Sequence, residues 1–482
     1  MVKKKNNNLC HVLKNSYYNE GTLKQIRDFS GGPLIGVLIS MVTVPLVTRM
    51  VSPEEFGKSA LFTLVQTLFT LVALFGLDQA FVRYYNNKEH SSKSILYNSF
   101  ILPFLFCLII IIFIVLFWKT LSLWIFEQNE PILMFSFCLF LPALLINRFS
   151  LLIVRMELRG ILYSALLITS QIINFICLLL LLIFFEKSFR SIIAATVIST
   201  IINTCICLVF TNKNWTLSKE YFDKKLLKEL LKFGIPLVPA TAMFWLLDSF
   251  DKIGLKQWSN YEQLGLYAAA FKIVALLSVL QTVFTTAWVP IAYRWHENNE
   301  NVVKFDFVGV IVLAIMTVGY AGIVVLRDFI LLLLGPEYRD TSFIFIYLLF
   351  VPVMYTVSET TTLGIPFSKK TYFNLYISII CLVLSVTSNY LLIPKFGAIG
   401  AAISTALVYI AFFWARTLIS RKLWYNFKIN KYVINFVLLI LLALSIQYNV
   451  GKIAEINLFF FIIVVNFLFV KKYYLNLNII KN

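Results

Sequence analysis

Charged residues interrupt several of the apolar stretches in this 482-residue chain. We single out seven ionisable side chains in or beside such stretches: Asp78, Arg148, Asp248, Asp251, Lys252, Lys272 and Glu359. If the stretches cross a membrane, a charge inside one is costly and marks a substrate or ion pathway by default. The basic members could bind an anion such as a phosphate, and the acidic members could take up a proton or a cation.

The basic side chains are predicted to lie at different depths. Arg148 is about 17 residues, or about 25 Å, from the outer start of its stretch, and Arg83 is near the same level at an inner end. Lys272 is about 8 residues, or about 12 Å, from the outer face, and Lys252 is near an outer end. Cations at successive depths suit an anionic group that crosses the bilayer, because a desolvated charge is expensive when unpaired. Alternatively, the two arginines extend to the cytoplasmic surface.

The acidic side chains are candidates for ion coupling, with H+ or Na+ as the ion. Asp248 and Asp251 share a helical face because they are three residues apart, which allows a cation site. Asp78 and Glu359 are predicted in the inner halves of their stretches. Each of these two could instead neutralise a neighbouring arginine, and Lys252 could pair with Asp248 four residues before it.

The composition indicates which elements must position these residues. Hydrophobic residues make up 60% of the chain and charged residues 14%, which is far from a soluble domain. A helix needs about 20 apolar residues to cross a bilayer. We therefore predict an all-α polytopic membrane protein with about fourteen transmembrane helices. The predicted spans are 29–48, 59–77, 95–118, 132–153, 161–185, 191–210, 233–255, 264–290, 305–326, 341–366, 372–393, 398–419, 432–448 and 453–470.

Basic residues collect on every second connection between these spans. With the N-terminus placed inside, 29 of the 42 lysines and arginines fall in inner segments. The positive-inside rule then predicts that both termini are cytoplasmic. The net charge of +18 is explained by this topology, and nucleic-acid binding is excluded because no soluble basic domain exists to perform it.

The chain also repeats itself. The segment 29–33 corresponds to 233–236, Pro142 to Pro352, and Ala194-Ala195 to Ala401-Ala402, all offset by roughly 203–210 residues. We predict two parallel six-helix repeats at 29–210 and 233–420, joined by a cytoplasmic linker at 211–232. A cytoplasmic segment precedes them at 1–28, and two additional helices with a basic tail follow at 421–482. Repeats of this kind can rock around a shared site and expose it to one side at a time.

Several short segments resemble polysaccharide flippases of the multidrug/oligosaccharidyl-lipid/polysaccharide exporter superfamily. They are Pro45 to Arg49, Ser52 to Gly57, Gly76-Leu77-Asp78 to Arg83-Tyr84-Tyr85, Phe233 to Pro239, Asp251-Lys252, Gly265-Leu266-Tyr267 with Ala270 and Lys272, and Phe396 to Ala402. The family often has Arg where this chain has Lys252. The lysine keeps the charge but lacks the planar fork that grips a phosphate with two hydrogen bonds.

The resemblance implies a substrate. The chain is similar to the branch of this superfamily that moves undecaprenyl-diphosphate-linked O-antigen or capsule repeat units from the cytoplasmic to the outer leaflet of a bacterial cytoplasmic membrane. In that scheme Arg83 and Arg148 would receive the diphosphate inside, and Lys252 and Lys272 would meet it further out. Partners implied are the lipid-linked oligosaccharide, membrane lipids, and a polysaccharide polymerase with its chain-length machinery.

Enzyme chemistry is poorly supported by the sequence. Gly57-Lys58-Ser59 has the end of a phosphate-binding loop but Ser52 where its first glycine should be. The three histidines have neither metal-site nor catalytic-triad spacing. We predict no catalytic residues, no metal site and no cofactor. The alternatives are an ion-coupled drug or cation exporter of the same superfamily, and a membrane polysaccharide polymerase, which would be expected to carry a large outer loop.

Overall fold

A computed structural model of the chain describes residue 28 and residues 31–86, 89–215, 218–370 and 372–481. The side chains of residues 240, 244, 247, 248, 276, 286 and 476–481 are outside that description, as is the predicted N-terminal segment apart from Asp28. Throughout the described ranges the chain is helical and no strand occurs. The all-α prediction is confirmed.

Eight helices precede the middle of the described chain. They are α1 (Gly31–Met50), α2 (Pro53–Leu74), α3 (Leu77–Tyr84), α4 (Ser92–Phe126), α5 (Pro131–Met156), α6 (Gly160–Phe184), α7 (Phe189–Thr211) and α8 (Lys224–Gly234). Ten more follow: α9 (Val238–Trp258), α10 (Tyr261–Glu297), α11 (Val302–Val325), α12 (Arg327–Leu333), α13 (Thr341–Leu348), α14 (Phe350–Thr361), α15 (Gly364–Phe367), α16 (Tyr372–Leu423), α17 (Asn430–Gln447) and α18 (Lys452–Lys481).

Polar caps set where several helices begin. The side chain of Ser91 accepts the N–H of Ser94 at the start of α4, and that of Asn260 accepts the N–H of Gln263 at the start of α10. Asp223 accepts two backbone N–H groups at the start of α8, from Lys225 and Leu226. Each cap satisfies amide groups that the first turn of a helix leaves without a partner.

Eleven helices in the described ranges are long and apolar enough to cross a membrane, or twelve if a pair in α10 bent by 51° forms one span. The 52-residue α16 is broken at Gly397, whose φ of 55° and ψ of −130° are not helical. The predicted spans 372–393 and 398–419 lie on either side of this break. The seventh predicted span falls in α9, whose charged residues lower its hydropathy. The protein is a multi-pass membrane protein, and the count of fourteen stays a prediction.

The described residues form two compact units. Unit 1 holds the residues up to Thr43 together with Val65–Ala242, and unit 2 holds Val44–Leu64 with the chain from Met243 onward. Helices α1 and α2 therefore each run from one unit into the other. The bundle boundaries predicted from the repeat stay a prediction.

An ion pair and hydrogen bonds from a side-chain amide attach the last two helices to α11 within unit 2. The buried ammonium group of Lys431 in α17 lies 3.0 Å from Asp306 in α11. Asn466 in α18 donates to Thr317 Oγ1 in α11 at 3.1 Å and to Asn435 Oδ1 in α17 at 2.9 Å. Hydrogen bonds between transmembrane helices contribute to their association, because the lipid hydrocarbon offers no competing donor or acceptor.

Two glycines let the backbones of α2 and α10 touch within unit 2. A Cβ on Gly265 would overlap the carbonyl oxygen of Pro53, and a Cβ on Gly57 would overlap that of Tyr261. We call Pro53, Gly57, Tyr261 and Gly265 the glycine crossing. Only residues without a Cβ permit so close an approach of two helices.

Hydrogen bonds adjoin the glycine crossing. Arg49 donates to the carbonyl oxygens of Leu332 and Leu333, at 2.8 and 3.1 Å. Tyr338 donates its hydroxyl to the carbonyl oxygen of Val51 at 3.0 Å. The segment between α1 and α2 is thus held at several points to the end of α12 and the region that follows it.

Candidate substrate and ion sites

Two of the charges singled out in the sequence neutralise each other in unit 1. Arg148 Nη2 in α5 lies 2.8 Å from Asp78 Oδ2 in the first turn of α3. The Asp78 side chain is 10% exposed, while that of Arg148 is 45% exposed. Arg148 therefore keeps part of its guanidinium accessible while it neutralises the carboxylate. The alternative of a neighbouring arginine, left open for Asp78, is the arrangement found.

Arg83 lies in the last turn of the same short helix and is exposed. It forms no ion pair with a residue that the structure describes. Its charge is available to an anion from outside the protein. The structure thus places both predicted inner cations, Arg83 and Arg148, in unit 1.

Glu359 in unit 2 is likewise neutralised by an arginine. Arg416 Nη1 in α16 lies 2.8 Å from Glu359 Oε1 and donates to Ser358 Oγ at 2.7 Å. Its guanidinium also lies over the ring of Phe412, 4.8 Å from the centroid. Both side chains of the ion pair are largely buried. The sequence analysis left an arginine partner open for Glu359 but could not identify Arg416, because 57 residues separate the two.

Asp251 has a different environment, deep inside unit 2. The residue is 3% exposed and its carboxylate accepts three hydrogen bonds, each 2.6 Å long, from the Tyr267 hydroxyl, the Asn389 amide and the Thr405 hydroxyl. These four residues are the Asp251 cluster. No lysine or arginine among the described side chains forms an ion pair with Asp251. Its hydrogen-bond donors are all neutral, and Lys252 acts on it without forming an ion pair, so the buried carboxylate is only partly compensated.

One acceptor in the Asp251 cluster is also unsatisfied. Asn389 Oδ1 is buried and has no hydrogen-bond partner among the described residues. A buried acceptor of this kind beside a carboxylate needs an explanation, and an unseen ion or water is one. Sequence reasoning missed Asn389 and Thr405. A signal was available in the run of small polar residues, Ser385, Ser388, Ser404 and their neighbours, inside two predicted spans.

Lys252 and Lys272 lie in α9 and α10 of unit 2. Lys272 is exposed, and the ammonium group of Lys252 lies 5.6 Å from the centroid of the Phe271 ring. Phe271 directly precedes Lys272, so the Lys252 ammonium group lies beside the turn of α10 that carries Lys272. Neither forms an ion pair with a side chain that the structure describes. The side chain of Asp248 lies outside the description, so its predicted pairing with Lys252 and its predicted cation site with Asp251 stay predictions.

Comparison with known proteins adds to this geometry. The family model described as "Polysaccharide biosynthesis protein" matches residues 29–296, more than half of the chain. Among solved structures, the lipid II flippase MurJ in an inward closed conformation has a TM-score of 0.70 at 16% identity, over 93% of this chain and 99% of that one. A multidrug resistance MATE family transporter of the MOP superfamily, inward-facing, has a TM-score of 0.60 at 16% identity, over 83% of this chain and 97% of that one. No curated protein matches the chain.

At such low identity the structural matches establish the fold alone. That fold is one of transporters and flippases, and it agrees with the superfamily resemblance seen in the sequence. The family match rests on the sequence itself and covers the whole of the first predicted repeat. The chain belongs to the polysaccharide biosynthesis protein family and has the polytopic fold of MurJ and the MATE transporters of the MOP superfamily.

Proposed function

We propose that the protein moves an undecaprenyl-diphosphate-linked oligosaccharide from the cytoplasmic to the outer leaflet by alternating access. The observation that carries the proposal is that the Lys252 ammonium group lies 5.6 Å from the ring centroid of Phe271, the residue before Lys272, and that neither lysine forms an ion pair with a described side chain. A diphosphate could pair with both cations. The family and the flippase fold support the same substrate class.

Arg83 and Arg148 serve, in this proposal, as the inner contacts of the same anionic head group. Arg83 has no described ion-pair partner, and Arg148 exposes nearly half of its side chain while it holds Asp78. An arginine can meet a phosphate with two parallel N–H donors, whereas a lysine acts as a point charge. The inner contacts would therefore orient the head group, and the two lysines would provide an attractive charge.

The Asp251 cluster is our candidate for coupling to a Na+ or H+ gradient. Asp78 and Glu359 each have an arginine beside them, so their charges are already compensated. Asp251 has only neutral donors, and the nearby Asn389 oxygen is unsatisfied. A Na+ ion would gain a carboxylate and several neutral oxygens, which are the ligands that hard cations prefer. A proton would instead neutralise the carboxylate directly.

The MATE fold also fits a drug or cation exporter, the second candidate function. A cationic substrate would need acidic groups free to face it. In the described residues Asp78 and Glu359 are paired, whereas Lys252 and Lys272 are not. Asp251 is unpaired as well but is only 3% exposed, so the accessible described charges favour an anionic substrate. We also propose that the protein lies in a bacterial cytoplasmic membrane with both termini inside. It would act together with a polysaccharide polymerase and its chain-length machinery.

Binding of the sugar-free carrier tests the substrate class. The purified protein is mixed with undecaprenyl diphosphate, and bound lipid is counted by native mass spectrometry. We expect Lys252→Gln with Lys272→Gln to lose most of the binding, and Lys252→Arg with Lys272→Arg to keep it. Retention by the glutamine variant would contradict the assigned residues. Failure of the wild-type protein to bind the carrier, together with tight binding of tetraphenylphosphonium, would establish the cation exporter instead.

A further inference from the structure

The amphipathic helix α8 carries a cationic face that neither the substrate nor the coupling ion uses. Its four lysines, at positions 224, 225, 228 and 232, are all exposed. At 100° per residue they fall within one arc of about 100°. We propose that this face binds the anionic phospholipid head groups of the cytoplasmic leaflet and holds α8 at the membrane surface.

The opposite face of α8 is fixed to unit 1, which defines the direction of the lysines. Leu226 and Leu230 are fully buried, and α8 packs on α3 and α4. Asn98 Oδ1 in α4 accepts the backbone N–H of Asp223, the residue that caps α8. The helix cannot rotate to hide its charges without breaking these contacts.

Exposed apolar side chains flank the lysine face at both ends of the helix. Phe222 before α8 is 48% exposed, and Ile235 after it is 51% exposed. By helical spacing Ile235 continues the arc of Lys228 and Lys232. Exposed aromatic and aliphatic side chains beside a lysine face suit a helix at the membrane–water interface. The charges lie at the lipid head groups and the apolar side chains lie below them.

Charge complementarity decides between the possible occupants of this face. The cytoplasmic leaflet is rich in anionic lipids, and clustered lysines near its surface bind them. The predicted topology places the linker on the cytoplasmic side. The lysine arc itself contains no acidic residue, since Asp223 caps the helix and Glu229 lies on its flank. An acidic protein surface is the alternative occupant.

Lipid competition measured on the full-length protein tests the proposal. The protein in detergent is offered equal amounts of phosphatidylglycerol and phosphatidylcholine at 50 mM salt, and bound lipids are counted by native mass spectrometry. Each basic residue near an anionic surface contributes about fivefold. We expect Lys→Gln at all four α8 positions to lower the preference for phosphatidylglycerol about tenfold or more, and Lys→Arg at the same positions to keep it. The wild-type preference should fall at 500 mM salt because the interaction is screened.

A charge-matched control separates the lysine face from net charge. It changes four exposed lysines outside α8 to Gln. They are Lys119, Lys187, Lys369 and Lys395. We expect this control to keep the wild-type preference. An equal loss in both quadruple variants, or no loss in the α8 variant, would overturn the proposal; the second result would leave a protein partner as the occupant. If the α8 variant does not fold, Lys228→Gln and Lys232→Gln made singly should each show a partial loss, and wild-type preference in both would refute it.

Discussion

The glycine crossing makes a direct prediction about alternating access. In Gly265→Ala the new methyl group would overlap the Pro53 carbonyl oxygen and lie 2.6 Å from the Pro53 carbonyl carbon. Two carbon atoms in contact lie about 3.5–4.0 Å apart. Helices α2 and α10 must therefore separate locally by about 1 Å. Because the opposing atoms are backbone atoms, no side-chain rotation can relieve the overlap.

The cost of this change falls only on the conformation in which α2 and α10 touch. Overpacking by one methyl group costs about 1–3 kcal/mol. The predicted topology puts the crossing on the outer side, so we expect it to open when the protein faces outward. The substitution should then shift the population toward the outward-open state by about 5-fold to 150-fold. Export should fall because the protein returns to the inward-facing state less often.

Distance measurement between the two helices tests this reasoning. Glu54 and Glu262 are exposed residues in the first turns of α2 and α10. Spin labels at these positions, in a background without native cysteines, report their separation by double electron–electron resonance. We expect one short distance in the parent protein and a dominant longer distance with Gly265→Ala. The control is Gly322→Ala, whose new Cβ would meet only a Phe459 ring carbon at 3.9 Å.

The refuting result is equally defined. If Gly265→Ala keeps the parent distance distribution and normal export, the crossing tolerates a methyl group and does not separate during transport. Separation in both the Gly265 and Gly322 variants would show a general loosening of unit 2, and would also refute the specific role of the crossing.

Three further perturbations follow from the ion pairs and the Asp251 cluster. If Asp251 binds Na+, the ion should raise the melting temperature of the purified wild-type protein, and Asp251→Asn should abolish that rise; if the coupling ion is H+, the substitution should abolish the pH dependence of export. A wild-type response in the variant would contradict the coupling role. Arg148→Gln leaves the mostly buried Asp78 unpaired, so we expect a loss of about 1–3 kcal/mol in the free energy of unfolding, seen as a lower melting temperature. Adding Asp78→Asn to the same chain should restore the melting temperature but not export. Glu455→Gln removes the closer of the two carboxylates beside Arg327 and leaves Asp328 at 3.5 Å, so we expect a loss of about 1 kcal/mol in the free energy of unfolding by the same measurement, with export per folded molecule unchanged.

The sequence predicts the helices well because hydrophobicity along one chain is a local property. Each of the fourteen predicted spans overlaps a helix in the described residues, and the break at Gly397 falls between two of them. What the sequence does not contain is the partner across a helix–helix contact. Thr405 reaches Asp251 across 154 positions, and Arg416 reaches Glu359 across 57. Apolar periodicity indicates that a residue is buried, not which residue lies opposite.

The same limit explains why Asp78, Glu359 and Asp251 looked alike in the sequence and differ in the structure. Asp78 and Glu359 gain an arginine at 2.8 Å, which compensates each charge locally. Asp251 gains only hydroxyl and amide donors.

A buried ion pair needs no ligand to neutralise it, because each member lowers the free-energy cost of burying the other. An unpaired charge inside a membrane-spanning helix raises the free energy of the resting protein, and water or a bound ion must offset that cost. Among the described candidates, Asp251, Lys252, Lys272 and Arg83 form no ion pair. In our proposal a small cation binds at Asp251 and a diphosphate binds at the basic groups, so each charge has a partner while the protein is loaded. Since flippases and multidrug transporters share the fold, the proposal of an anionic lipid substrate rests on this asymmetry between paired and unpaired charges.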